Sequence, residues 1–156
     1  LRIYKVTIKG TKPLMHNRFP IEEHIEGKKS RKRGFNPKEE AEKCLYKDSN
    51  GNIYQPSIHI EASLIKSATD FPWKGRKSFK KIVENNVEVI PEKIPFEIPA
   101  KPENYEIDIR SVVNPNTRGR QPKARPIWKD WQFTFHIKVD DEEELDGKTL
   151  KRILEN

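Results

Sequence analysis

"WQFTFHIKV", Trp131 to Val139, is the stretch on which the fold turns. Trp131, Phe133, Phe135, Ile137 and Val139 recur at every second position, the period of a β-strand with one face against a core. "YEIDIRSVV", Tyr105 to Val113, has the same form, with Tyr105, Ile107 and Ile109 on one face and Glu106, Asp108 and Arg110 on the other. The two predict an antiparallel pair. Between them, residues 114–126 carry Arg118, Arg120, Lys123 and Arg125 with prolines and Gly119. This segment is expected as a long basic hairpin tip, stiffened by its prolines and turned at Gly119.

Further strands and helices follow from the same reasoning. Residues 2–9, "RIYKVTIK", alternate as a half-buried strand. Asn36 caps a short helix with Pro37 at its first position and Glu39 at capping-box spacing, ending near Cys44. Cys44 to Pro56 reads as two short strands about the Asn50-Gly51 turn. Ser57 opens a helix over about residues 57–70, in which Ile58, Ala62, Ile65 and Ala68 fall at helical spacing. A short strand starts at Val87, and Pro91, Pro95, Pro99 and Pro102 then enforce an extended connection. Asp140 to Glu144 reads as the solvated start of a last helix, whose stripe is Leu150, Ile153 and Leu154.

These elements make an α+β domain with a mostly antiparallel sheet and helices on one face. Length favours a single domain over 1–156, RRM-like, with basic inserts at about 26–35 and 114–126. The ferredoxin-like βαββαβ layout of RNA-recognition motifs needs one more strand after the last helix, so the chain is expected to be C-terminally truncated.

Charged residues make up 35% of the chain and hydrophobic ones 33%, so the core must be thin. The net charge of +7 and pI near 9.4 favour a polyanionic partner. The cations cluster. Lys28, Lys29, Arg31, Lys32 and Arg33 crowd one insert, and Trp73, Lys74, Arg76 and Lys77 alternate between Phe71 and Phe79, a pattern suited to a stacked, charge-neutralised single strand. Arg110 and the four cations of residues 114–126 extend the set, with Trp128 as a second stacking face.

Cys44 is the only cysteine, which excludes an intrachain disulfide and fits a cytoplasmic setting. No apolar run approaches the roughly 20 residues of a membrane helix, and no signal-peptide pattern opens the chain. Abundant lysine, glutamate and isoleucine, with few glutamines and Met15 alone, resemble a thermophile composition. His16, His24, His59 and His136 have no zinc-ligand spacing, and no nucleotide loop or hydrolase elbow is present, so neither metal nor cofactor is expected. The enzyme alternative is a metal-independent endoribonuclease with His16, in "PLMHNRF", as general base. A third reading is a protein-interaction subunit whose basic loops meet acidic partners.

Three stretches resemble the repeat-associated mysterious protein (RAMP) superfamily, which contains CRISPR effector backbone subunits and phage-borne relatives. "VTIKGTKPLMH" is similar to its first strand and Gly-x-x-Pro-Leu turn. "LYKDSNGNIYQPSIHIEASLIKSA" resembles the strand, turn and helix entry usually seen as "IPGSSIKGALR", with Pro56, Ser57, Ile60 and Ala62 in matching places. Here Gln55 precedes the proline, His59 stands among the usual small residues and Glu61 takes a usual lysine position. "WQFTFHIKV" with "LDGKTLKRILEN" resembles the late strand and helix. The resemblance implies an RNA-recognition-like fold whose arms hold a single strand or an RNA guide, in a row with copies of itself or other effector subunits. Some members are ribonucleases. The residues and the resemblance together lead to the expectation of a non-catalytic protein that binds single-stranded RNA, or DNA, through phosphates.

Overall fold

The computed structural model describes residues 1–25 and 34–156, so Lys28, Lys29, Arg31, Lys32 and Arg33 lie outside the described residues. The apolar row that opened the sequence reading forms β8 (Gln132–Val139), in which Phe133, Phe135, Ile137 and Val139 are all buried. β1 (Arg2–Lys9) lies on one side of β8 and β4 (Val87–Ile90) on the other. β4 is antiparallel to β8, from Val87 opposite Val139 to Ile90 opposite His136. Along β1, Thr7 bonds Thr134 at 2.8 Å while Arg2 reaches Glu142 at 3.3 Å, so β1 and β8 also run in opposite directions.

Contacts within the chain gather into two compact units. The first comprises residues 1–8, 54–95 and 133–156. It contains the β1-β8-β4 sheet, the paired short strands β3 (Tyr54–Pro56) and β5 (Lys93–Pro95), and the helices α3 (Ser57–Ser67), α4 (Lys80–Asn86) and α5 (Gly147–Glu155). Since β1 and β4 both oppose β8, they are parallel to each other, and α3 lies on the path that joins them. Leu64, Ala68, Ile82, Val83, Val89, Ile94, Leu145, Leu150 and Ile153 complete the buried hydrophobic set of this unit among the described residues.

The departures at the entry to α3 have structural roles. The Glu61 carboxylate accepts the Val89 N–H at 2.8 Å and ties α3 to β4, and Gln55 bonds the His59 ring at 3.0 Å. A 3₁₀ turn, Ala68–Asp70, ends the helix near the expected residue 70.

The acidic run does not begin α5. Asp141 accepts the N–H groups of Glu143 and Glu144 in a turn that buries Leu145, and Asp146 caps the helix by accepting the Thr149 N–H at 2.9 Å. The Thr149 side chain and, after it, the Thr149 N–H hold the Asp146 carboxyl below its usual range.

The second unit comprises residues 9–53 and 96–132. Its sheet has the order β2-β7-β6, from β2 (Leu14–Met15), β7 (Arg120–Trp128) and β6 (Glu106–Val113). The expected pairing of "YEIDIRSVV" with "WQFTFHIKV" is therefore corrected. β6 pairs with β7, antiparallel from Glu106 opposite Ile127 to Val113 opposite Arg120, and β8 pairs with β1 and β4. The long tip expected over 114–126 shrinks to residues 114–119, because from Arg120 onward the segment is strand.

The prolines concealed that strand. Pro126 O accepts the His16 N–H at 3.2 Å, so β7 residues of even number turn their backbone polar groups away from β6. Pro122 and Pro126 share that phase, and the donors they lack are not needed by the β6 ladder. On the same side, the Cys44 thiol approaches Ala124 O at 3.9 Å.

Asn36 caps α2 (Pro37–Lys43) by accepting from the Lys38 and Glu39 N–H groups, and Cys44 is its C-cap, as read from sequence. A short α1 (Ile21–Ile25) was not anticipated, nor was α4. Residues 44–56 form a turn held by Asp48, with Gly51 at φ 81° and one bridge from Lys47 to Ile53, while Tyr54–Pro56 pairs with β5. Leu45, Ile53 and Trp128 make the core of this unit, with Leu14, Phe96, Tyr105 and Trp131 against them. Trp131 lies so close to Gly10 that a Cβ there would fall 2.1 Å from its ring nitrogen. Among the described residues no helix is long and apolar enough to cross a membrane.

The β8 row should dominate stability. Phe135→Ala should destabilise the protein by about 3–5 kcal/mol in urea unfolding followed by circular dichroism. Ile109→Ala, at a β6 position 53% exposed, should change stability by no more than about 0.5 kcal/mol.

Candidate nucleic-acid interface

The register of the β6–β7 hairpin sorts the expected binding residues by face. Arg110 opposite Lys123 and Asp108 opposite Arg125 share one face. Ser111 opposite Pro122 and Val113 opposite Arg120 lie on the other, where Arg120 donates to the Ser111 hydroxyl at 2.9 Å. Arg110, Lys123 and Arg125 are thus brought together, and Arg120 is not with them.

Two cations directly opposite each other in a strand pair repel. Arg110 turns toward Asp108, its Nε 2.8 Å from Oδ2, near enough for charge attraction but not aligned as a hydrogen bond. Asp108 Oδ2 and Arg125 Nε are buried without hydrogen-bond partners. Arg125 NH1 rests 3.8 Å from the Met15 sulfur, so β2 supports the guanidinium without satisfying it. An unpaired buried N–H of this kind costs about 1–3 kcal/mol until an acceptor reaches it. Along the same face Lys129 bonds Glu106 at 2.9 Å, and the carboxylate holds its ammonium above the usual range.

The tip is built by Asn114. Its side chain accepts the Asn116 and Thr117 N–H groups, and its backbone bonds Gly119 O and Arg118 N–H at 2.8 Å each. The left-handed residue is Arg118, at φ 55°, and not Gly119 as the sequence suggested. A residue with a side chain is strained there by roughly 1–2 kcal/mol.

A second basic loop stands in the first unit. Phe79 N–H bonds Phe71 O at 2.9 Å and Trp73 N–H bonds Lys77 O at 2.8 Å, closing a tight turn around Gly75 at φ 59°. Lys74, Arg76 and Lys77 are exposed at this turn, with the Lys74 ammonium 4.7 Å from the half-buried Trp73 ring.

Two expectations are overturned by burial. Trp128 is only 3% exposed, its indole N–H donates to Pro102 O at 2.9 Å, and Phe96, Tyr105 and His16 cover its ring. It offers no stacking face. His16 is 2% exposed, set edge-on to Trp128 and Tyr46, and its Nδ1 faces the Tyr46 N–H at 3.5 Å. A base sealed in this way does not reach a ribose hydroxyl.

Asp108 and Met15 were missed by sequence reasoning. The only available signal was the alternation of β6, which put Asp108 on the Arg110 face without indicating its partner. Among the described residues no three His, Cys, Asp or Glu side chains converge as metal ligands. Comparison with protein-family models and with curated protein sequences finds no match.

Cys44 reports on the interface from behind. Burial pushes its thiol up, while Lys123 and Arg125 pull the other way. A thiol-reactive dye at neutral pH should label the native protein at least about tenfold more slowly than the urea-unfolded chain, and Lys123→Ala should slow labelling further. At the tip, Arg118→Gly should leave stability unchanged or raise it by about 1 kcal/mol by relieving the left-handed strain, measured as the urea midpoint.

Proposed function

We propose that this protein binds single-stranded nucleic acid, RNA in preference to DNA, along its phosphates and without cleaving it. It would act in the cytoplasm as a subunit resembling those of the RAMP superfamily, in a row with copies of itself or with other effector subunits. The observation that carries the reading is the opposition of Arg110 and Lys123 beside Arg125. A strand pair that sets the exposed Arg110 opposite the half-buried Lys123, with the Arg125 guanidinium beside them, gains from phosphate oxygens that neutralise the opposed cations. Arg118 and Arg120 extend the charge to the hairpin tip. Lys74, Arg76 and Lys77 supply a separate phosphate-binding turn, and Trp73 is the remaining base-stacking candidate.

The ferredoxin-like assignment belongs to the same proposal. In chain order the first unit reads β1, β3, α3, α4, β4, β5, β8, α5, and with the β3–β5 ribbon and α4 taken as additions, the series β1, α3, β4, β8, α5 with sheet order β1-β8-β4 supports reading it as the βαββα portion of a ferredoxin-like sheet. A strand pair that carries cations along one face suits the backbone of an extended single strand. The buried state of His16 favours binding over hydrolysis.

About five phosphate contacts at roughly 0.7 each give a log-log salt slope near −3.5 for a mixed-sequence RNA in filter binding. The double variant Arg110→Ala with Lys123→Ala should weaken binding by about tenfold, equally across sequences, and flatten the slope by about 1.4. Labelled RNA should stay intact with and without chelator. Tight binding with a flat salt response, or cleavage, would count against the proposal.

A further inference from the structure

β6 is an outer strand of the second unit's sheet, and among the described residues β7 is its one strand neighbour. Ile107, Ile109 and Val113 are exposed on one of its faces, beside the buried Ala124 and Pro126 of β7. Glu106, Asp108 and Arg110 lie on the other. A strand that completes a ferredoxin-like series after α5 would join the sheet of the first unit, so it does not bear on this edge.

The backbone phase of β6 is fixed at two points. Pro126 C=O turns to His16 and away from β6, so the odd-numbered residues of β7 carry the ladder bonds, and their partners are Glu106, Asp108, Arg110 and Val112. At the hairpin end Asn114, in the same phase, donates its N–H to Gly119 O. Ile107, Ile109, Ser111 and Val113 therefore direct their N–H and C=O groups outward. An open ladder edge with exposed β-branched side chains is a template for another strand.

Charge selects the occupant. An antiparallel partner sets outward residues opposite outward residues, so in a pairing of β6 with β6 of a second copy the odd-numbered residues face odd-numbered ones. Two such registers overlap most. One centres on Arg110 and sets the two Arg110 side chains against each other, which repel. The other centres on Ile109: Ile109 meets its own counterpart, Ile107 meets Ser111, and Asp108 meets Arg110 in both directions. Asp108 Oδ2 is buried without a hydrogen-bond partner, although its own Arg110 Nε lies 2.8 Å away. The Arg110 of a second copy, directly opposite, supplies the Asp108 carboxylate with a donor. We infer that two copies of this protein associate through β6, antiparallel and centred on Ile109. Their basic faces then lie on the same side of one continuous sheet, and a guanidinium has N–H groups enough for a carboxylate and a phosphate oxygen together. The inference goes beyond the nucleic-acid reading and does not rest on it, because the association needs no RNA.

The test is sedimentation equilibrium of the intact chain without nucleic acid, at concentrations up to about 1 mM. A reversible dimer is expected. Asp108→Arg and Arg110→Asp, taken singly, each set like charges opposite one another and should weaken it at least about tenfold. A mixture of the two variants should form a heterodimer, because both opposed pairs are then of unlike charge. Ile109→Lys should abolish association with unchanged circular dichroism, since the side chain is exposed in the monomer. In hydrogen exchange, the Ile107, Ile109 and Ser111 amides should gain protection as concentration rises, while those of Asp108 and Arg110 should not change. A chain that stays monomeric throughout overturns the inference. So does a dimer indifferent to Ile109→Lys, a mixture of folded variants that gives no heterodimer, or outward amides already protected in the monomer, which would mean that another segment of the chain covers the edge.

Discussion

Burial of one alternating row, Phe133 to Val139, is the constraint on which the rest depends. Four inward side chains of this size on a single strand require cover along the whole of their length. Leu64 of α3, Ile82 and Val83 of α4, and Leu150 and Ile153 of α5 are the helical side chains buried in the same unit. Once β8 is central, its two sides must be filled from β1 and β4, and the direction of each follows. The thinness of the core foreseen from a 33% hydrophobic composition appears as this one well-packed row plus a small aromatic cluster around Trp128.

What the sequence disclosed was local. The helix over Ser57–Ser67, the Asn36 cap and the strands at β1, β6 and β8 each carry their signal within a few residues, as periodicity or as capping chemistry. Partnership between strands is not local, and the nearest strong strand in sequence proved the wrong partner for β8. β7 was obscured because Pro122 and Pro126 look like strand breakers, yet a missing donor matters only on the side where a neighbour needs it. Single-residue propensity carries no information about which side that is.

The candidate site was legible in its composition and illegible in its arrangement. Clustered arginine and lysine announced a basic hairpin, but only register separates Arg110, Lys123 and Arg125 from Arg120. Trp128 and His16 illustrate the converse. Both have chemistry suited to nucleic acid, and both are consumed by packing, each covering the other in one aromatic cluster. Glu61 and His59, the departures at the helix entry, are similarly spent on holding α3 to β4 and to Gln55.

The pairing of β1 with β8 joins residues as far apart as Thr7 and Thr134, 127 positions along the chain. The β6–β7 hairpin, by contrast, closes over a turn of six residues at little loop entropy. The connectivity therefore sets two scales of closure cost: the charged hairpin needs only a short turn to bring its strands together, whereas the sheet centred on β8 closes only when nearly the whole chain has been drawn together.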